Sequence, residues 1–94
     1  MYNKIYYPYE ATNKRFKFFI ITSTGNKIHF GASGYEDFTT HKDEKRKELY
    51  INRHQKRENW GKSGINTAGF WSRWLLWNKP TLNESYKDIQ KRFF

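Results

Sequence analysis

Residues 70 to 77 read FWSRWLLW, which places three of the chain's four tryptophans within eight positions. This stretch constrains the fold most, because only 36% of the chain is hydrophobic while 20% of it is aromatic. A core must therefore be built largely from Phe, Tyr and Trp, each large apolar side chain stabilising the fold by roughly 1.5–3 kcal/mol when buried. We predict that the stretch is mainly core. The alternative is that one or two of its tryptophans stay exposed as a docking surface, with Trp77 as the first candidate.

Length and composition predict a single domain. A chain of 94 residues has room for one core, and the absence of cysteine excludes disulfides, thiolate nucleophiles and cysteine-based metal sites. We assign residues 15–94 to one basic α+β domain, and residues 1–14 to an N-terminal segment that is either a flexible tail or a strand. No secretory signal is expected in the first residues, and the apolar run at 70–77 is far shorter than the ~20 residues of a membrane-spanning helix.

The expected architecture is an N-terminal β-hairpin packed with about three helices. Residues 15–22 (RFKFFIIT) are aromatic and β-branched, and residues 27–30 (KIHF) alternate polar and apolar side chains after a turn that contains Gly25. The loop that follows, residues 31–41, contains two large aromatic residues that we expect to anchor it in the core, Tyr35 and Phe38.

The three helices are expected at residues 40–57, from residue 67 to Pro80, and after residue 80, with Thr40, Thr67 and Thr81 as their N-caps. In the second helix, a period of 3.6 residues places Phe70, Trp74 and Trp77 on one face. The same period turns four residues toward the other side: Ser72, Arg73, Leu76 and Asn78.

The net charge of +9, from 18 Lys and Arg against 9 Asp and Glu, makes a polyanion the expected partner. The helix at residues 40–57 has little apolar content, so most of its surface must face water or a partner. We expect it to present a basic ridge to nucleic acid, with an aromatic contact in the middle and two basic extensions. The predicted nucleic-acid-binding residues are Lys42, Lys45, Arg46, Tyr50, Arg53, Lys56, Arg57, Lys62 and Arg73. Weak sequence specificity is expected, because no known base-reading motif is present.

The segment HFGASGYEDFTTHKDEKRKELYINRHQKRENW, continued by KSGINTAGFWSRWLLWNKPTL, resembles a family of short, basic, uncharacterised proteins of giant nucleocytoplasmic large DNA viruses. The resemblance covers roughly residues 27 to 93, and its GFWSRWLLWN part is specific. It implies a protein that acts inside an infected host cell, in the viral factory, cytoplasm or nucleus, or that is packaged in the virion. It implies no catalytic or binding residues.

Three functions remain open at this point. The first is non-enzymatic binding of DNA or RNA. The second is a structural protein of the virion or of its assembly, whose partners would include viral structural proteins. The third is a metal-dependent nuclease, for which the polar residues in a hairpin-then-helix order are His29, Asp37, His41, His54 and Asn59. We favour the first, with no catalytic residues, no metal and no cofactor.

Overall fold

The expected hairpin is present in the computed structural model, which describes residues 3–94. Strands β2 (Phe16–Ile21) and β3 (Lys27–Ala32) pair antiparallel, with Phe18 opposite Phe30. Gly25 has a positive φ of 89° in the turn between them and donates its N–H to the Thr22 carbonyl. A side chain here would be strained, so glycine suits this turn.

The N-terminal segment contributes a third strand. Strand β1 (Tyr9–Glu10) pairs antiparallel with β2, and the sheet order is β1-β2-β3. The Tyr6 N–H donates to the Ile21 carbonyl, and the Tyr6 side chain is buried with its ring stacked on Trp71. For residues 1–14 a flexible tail and a strand were both open, and the structure shows a strand at β1. The part of that segment before residue 3 lies outside the described residues.

Helices make up the rest of the α+β domain. They are α1 (Phe38–His41), α2 (Glu44–His54), a short 3-10 turn (Lys62–Gly64), α3 (Ala68–Trp71) with its continuation as a π-helix (Ser72–Leu76), and α4 (Leu82–Phe93). The N-caps predicted at Thr67 and Thr81 are confirmed, because each side chain accepts a backbone N–H from the first turn of its helix. None of the helices within residues 3–94 has the length and apolarity needed to cross a membrane.

The single helix expected over residues 40–57 is in fact two helices. Asp37 caps α1 and Asp43 caps α2, while Thr40 is the third residue of α1. Lys42 lies between the two helices in the left-handed conformation, with φ of 56°. The prediction of an N-cap at Thr40 is wrong because aspartate, a better N-cap than threonine, occurs both before and after it.

The FWSRWLLW stretch is mainly core, as predicted. Phe70, Trp71, Leu75 and Leu76 are buried and pack against Ile20 and Phe30 of the sheet and Ile89 of α4, while Trp74 and Trp77 are half-buried against the same cluster. The Trp71 indole N–H is satisfied by the Ile65 carbonyl. Trp77, the first candidate for an exposed residue, is thus half-buried.

The faces predicted for this helix are partly wrong. Leu76 and Asn78, expected on the side away from the core face, are buried. The cause is the π-helix, in which the Trp77 N–H donates to the Ser72 carbonyl five residues earlier. Because a π-turn contains more residues than an α-turn, the side chains that follow it are rotated away from the positions that a 3.6-residue period assigns them.

Of the two core anchors predicted in residues 31–41, one is confirmed and one is wrong. Phe38 is buried, as predicted, but Tyr35 is 74% exposed, so the prediction of a core anchor at Tyr35 is wrong. Phe38 is the first residue of α1 and faces the interior, whereas Tyr35 follows a turn in which Gly34 has a φ of 86°. Tyr35 lies instead on the rim of a surface cleft.

We expect Gly31→Ala to lower the free energy of unfolding more than Gly34→Ala. Both glycines have positive φ, 76° and 86°, so both substitutions carry the left-handed backbone cost of about 1–2 kcal/mol. An added Cβ at Gly31 would stand 2.7 Å from Leu76 Cδ1, a buried atom, whereas at Gly34 it meets open space. The overpacking should cost roughly 1–3 kcal/mol more. Urea denaturation measures both variants, and equal losses would mean that Leu76 moves aside freely.

Candidate nucleic-acid interface

Tyr50 attaches α2 to the core. Its ring stacks on the Trp77 indole at 4.4 Å between centroids and 2° between planes, and His54 stacks on Tyr50 at 4.4 Å. The Tyr50 residue is only 8% exposed, and burial raises the pKa of its hydroxyl to about 12. The aromatic contact predicted in the middle of the basic surface therefore lies inside the fold, where it holds the helix in place.

Arg73 is half-buried among the tryptophans. Its guanidinium carbon stands 4.4 Å from the Trp74 ring centroid and 5.5 Å from that of Trp60, and its NH1 group donates to the Trp77 carbonyl at 2.6 Å. Burial lowers the pKa of this guanidinium. Arg73 was predicted as an extension of the phosphate-binding surface, but its contacts are those of a side chain that braces the tryptophan-rich helix.

The other seven predicted residues are exposed, and they are Lys42, Lys45, Arg46, Arg53, Lys56, Arg57 and Lys62. We call them the basic segment. Three lie on α2, while Lys42 precedes α2 and the remaining three follow it, so the single helical ridge expected from the sequence is replaced by a helix with basic residues on both flanking turns. Within residues 3–94, Arg46 alone of the seven has a salt bridge, to Glu36 at 3.3 Å between exposed side chains.

Both burial and the charges of the basic segment affect the pKa of His54. Its pKa is lowered by burial first and then by the nearby charges of Arg53 and Arg57, while Glu58 acts in the opposite direction. A neutral imidazole at the C-terminal end of α2 therefore lies next to two guanidinium groups, neither of which is salt-bridged within the described part of the chain.

A cleft of about 730 Å³ opens between β3, α2 and α3. Arg46, Leu49 and Arg53 line it from α2, and Tyr35 lines it from the opposite loop. Leu49 is 54% exposed, whereas the next residue, Tyr50, is buried. The sequence contained a signal for this, since Leu49, Tyr50 and Ile51 are consecutive and a helix cannot turn three consecutive side chains toward one core.

The residues considered for a nuclease serve separate structural roles. The His29 ring makes tilted contacts with the rings of Phe16 and Phe19, Asp37 caps α1, and His41 Nδ1 accepts the Asp43 N–H. His54 stacks on the Tyr50 ring, and the Asn59 side-chain amide donates to the Ser63 hydroxyl. No three His, Asp or Glu side chains within residues 3–94 form a group that could hold a metal ion.

Fold and surface together define a small basic α+β domain with an exposed cationic segment around one helix. The chain belongs to DUF5754, a family of unknown function, whose model matches residues 6–54, just over half of the chain. The matched range contains the sheet, α1 and α2, while the tryptophan-rich helix and α4 lie beyond it. The family's description names neither an activity nor a source. Comparisons with curated proteins and with solved structures gave no match.

We expect NMR titration to place the pKa of His54 below its usual 6.5. Because the folded protein binds this proton less readily than the unfolded chain, the contribution of His54 to stability is retained above about pH 6.5 and lost as the pH falls from there through the folded pKa. Removing one nearby charge, Arg57→Gln, should raise the His54 pKa. The matched control, Lys91→Gln, should not, and an equal rise in both variants would show that only net charge matters.

We also expect Arg73→Lys to lower the free energy of unfolding by roughly 1–2 kcal/mol. A lysine keeps the charge but not the planar group that lies over two indole rings, and cation–π contacts contribute up to about 2 kcal/mol when partly desolvated. The control is Arg53→Lys, the same change at an exposed position, which should alter stability by less than about 0.5 kcal/mol. Equal stability of the two variants in urea denaturation would contradict the bracing role of Arg73.

Proposed function

We propose that this chain binds nucleic acid, without catalysis, through contacts between the basic segment and backbone phosphates. The observation that carries the proposal is that the seven exposed cations of the segment lie within residues 42–62 and that six of them have no salt bridge to a described residue. Among the described residues, the Lys42 side chain donates only to the Thr39 carbonyl, which leaves its charge without a carboxylate partner. An exposed cation without a carboxylate partner is free to neutralise a phosphate, and the release of condensed counterions then favours binding.

The acidic residues of the same region do not cancel this charge. Asp43 uses its carboxylate to accept the backbone N–H groups at the start of α2, and Glu58 lies at the cleft beside Gly69. The remaining two, Glu44 and Glu48, lie on α2 and are exposed. The segment therefore keeps an excess of positive charge toward solvent. Contacts with phosphates fix orientation but read no bases, so this surface supports weak sequence specificity.

The test compares two variants with the same loss of charge. In the first, three cations of the basic segment are neutralised: Arg53→Gln, Lys56→Gln and Arg57→Gln. Each lost phosphate contact removes about 0.7–0.9 from the slope of log affinity against log salt, so the slope should fall by about 2–3. Fluorescence anisotropy with labelled DNA and RNA oligonucleotides at several salt concentrations measures it.

The matched control neutralises three exposed lysines elsewhere, through Lys14→Gln, Lys87→Gln and Lys91→Gln. If binding depends on the basic segment, the control should keep most of its affinity and its salt slope. Equal weakening in both variants would mean that binding follows net charge alone and would remove the segment as the interface. No salt-dependent binding by the unsubstituted protein would overturn the proposed function.

A second proposal is a role in a virion or its assembly, in an infected host cell. It is supported by the resemblance of the GFWSRWLLWN segment to proteins of giant DNA viruses, and by a surface charge suited to packaged genome or to acidic capsid proteins. Free nucleic-acid binding with a steep salt dependence favours the first proposal. Poor binding to free DNA together with co-purification with virus particles favours the second.

A further inference from the structure

The cleft beside the basic segment combines apolar walls with polar side chains that make no hydrogen bond to any described residue. Leu76 and Trp77 form part of its wall, and Tyr35 and Leu49 stand at its rim with most of their surface exposed. Three further polar residues line it and make no side-chain hydrogen bond with any described residue: His54, Glu58 and Ser72. A pocket with an apolar lining and a few convergent polar groups is the usual form of a small-ligand site, and about 730 Å³ falls within the range of roughly 300–1,000 Å³ for such sites.

The charged residues of the cleft are of two kinds, exposed arginines on α2 and carboxylates in the lining. The cleft is lined by Arg46 and Arg53, two turns apart on α2 and both exposed. The lining also contains Glu58, which no described residue pairs with, and Asp37, which Lys17 neutralises in a largely buried salt bridge of 2.7 Å. A phosphate group would be repelled by the unpaired carboxylate but attracted by the two guanidinium groups. An uncharged ring with hydrogen-bond donors suits the interior better.

We propose that the cleft receives one unpaired base of a single-stranded nucleic acid, while Arg46 and Arg53 hold the phosphates on either side of it. The inference rests on the proposed nucleic-acid binding and deepens it by naming the class of strand. The base edge meets His54, Glu58 and Ser72, which between them donate and accept hydrogen bonds. Tyr35 offers an exposed ring on which the neighbouring base stacks, a contact that every base can make.

Strand preference follows from this arrangement. A base in a duplex reaches a pocket only if it is unpaired and turned out of the stack, whereas a base in a single strand has no pairing to break and less stacking to lose. The exposed salt bridge between Arg46 and Glu36 does not oppose the arrangement, because exposed ion pairs are weak and a phosphate can replace the carboxylate. The protein should therefore bind a single strand more tightly than a duplex of the same length.

The π-helix gives independent support. Ser72 is its first residue and lines the cleft, and its carbonyl accepts the Trp77 N–H that defines the π-turn. Interruptions of this kind in α-helices occur frequently at functional sites. Leu76, the last residue of the π-helix, and Trp77, which follows it, also line the cleft.

The experiment measures the affinity of the full chain for three labelled ligands of equal length: a single strand, an abasic single strand and a duplex. The abasic strand keeps the phosphates but has no bases. We expect the ordinary single strand to bind at least ~5-fold more tightly than the abasic strand from the stacked base alone, with the inserted base adding to this difference. Equal affinity for the ordinary and abasic strands would overturn the inference while leaving phosphate binding intact. No binding of any of the three would overturn the proposed function itself.

Variants at the rim test the same inference without disturbing the core. Tyr35→Ala should weaken binding of the ordinary single strand ~5-fold or more and leave the abasic strand unchanged, whereas Tyr35→Phe should keep the affinity because the ring remains. Leu49→Ala should also weaken only the ordinary strand. Its matched control is Leu82→Ala, a partly exposed leucine on α4 outside this cleft. Unchanged affinity in both Tyr35→Ala and Leu49→Ala would exclude this cleft as the base-binding site.

Discussion

The stack of the Tyr50 ring on the Trp77 indole is the contact on which the basic surface depends. Tyr50 is the one buried residue of α2, and a parallel aromatic pair contributes about 0.5–1.5 kcal/mol beyond the area that it buries. Lys47 adds a second attachment to the same place, because its Nζ donates to the Asn78 carbonyl at 2.8 Å. A helix with so little apolar surface is thus held at one short segment of the core, and its remaining side chains are free to face solvent or a partner.

A second aromatic residue of the tryptophan-rich stretch, Trp74, contacts cations directly, in a chain with a net charge of +9. Both Arg73 and Arg92 have their guanidinium carbons within 5 Å of the Trp74 ring centroid, at 4.4 Å and 4.9 Å. The ring faces carry negative partial charge, so Trp74 attracts both cations. Arg92 also forms a salt bridge with Asp88 at 2.8 Å, whereas Arg73 has no salt bridge with any described residue. The FWSRWLLW stretch therefore does two things. It fills the core with Trp71, Leu75 and Leu76, and through Trp74 it contacts two guanidinium groups, one half-buried (Arg73) and one exposed (Arg92).

What could be predicted from the sequence was mostly local. The hairpin follows from the alternation of residue types around a glycine turn, and the N-caps at Thr67 and Thr81 follow from side chains that bond to backbone N–H groups three residues away. The failures also have local causes. The helix break at Lys42 arises from two competing aspartate caps, and the burial of Leu76 arises from a π-turn that no simple periodicity reveals. Of the predicted site residues, seven cations are exposed, whereas Tyr50 is buried and Arg73 is half-buried, and the binding role of the set stays a prediction.

By itself, the sequence determined the fold class, the core position of the tryptophan-rich stretch and the position of the excess positive charge along the chain. These properties depend on residue type and on neighbours within a few positions, which is information that one sequence contains. Only the tertiary structure decided which aromatic rings stay exposed, because Tyr35, Tyr50 and Trp77 differ in exposure through contacts with distant segments rather than through their own chemistry. The cleft is likewise a product of β3, α2 and α3 together, and no one of these elements encodes it alone.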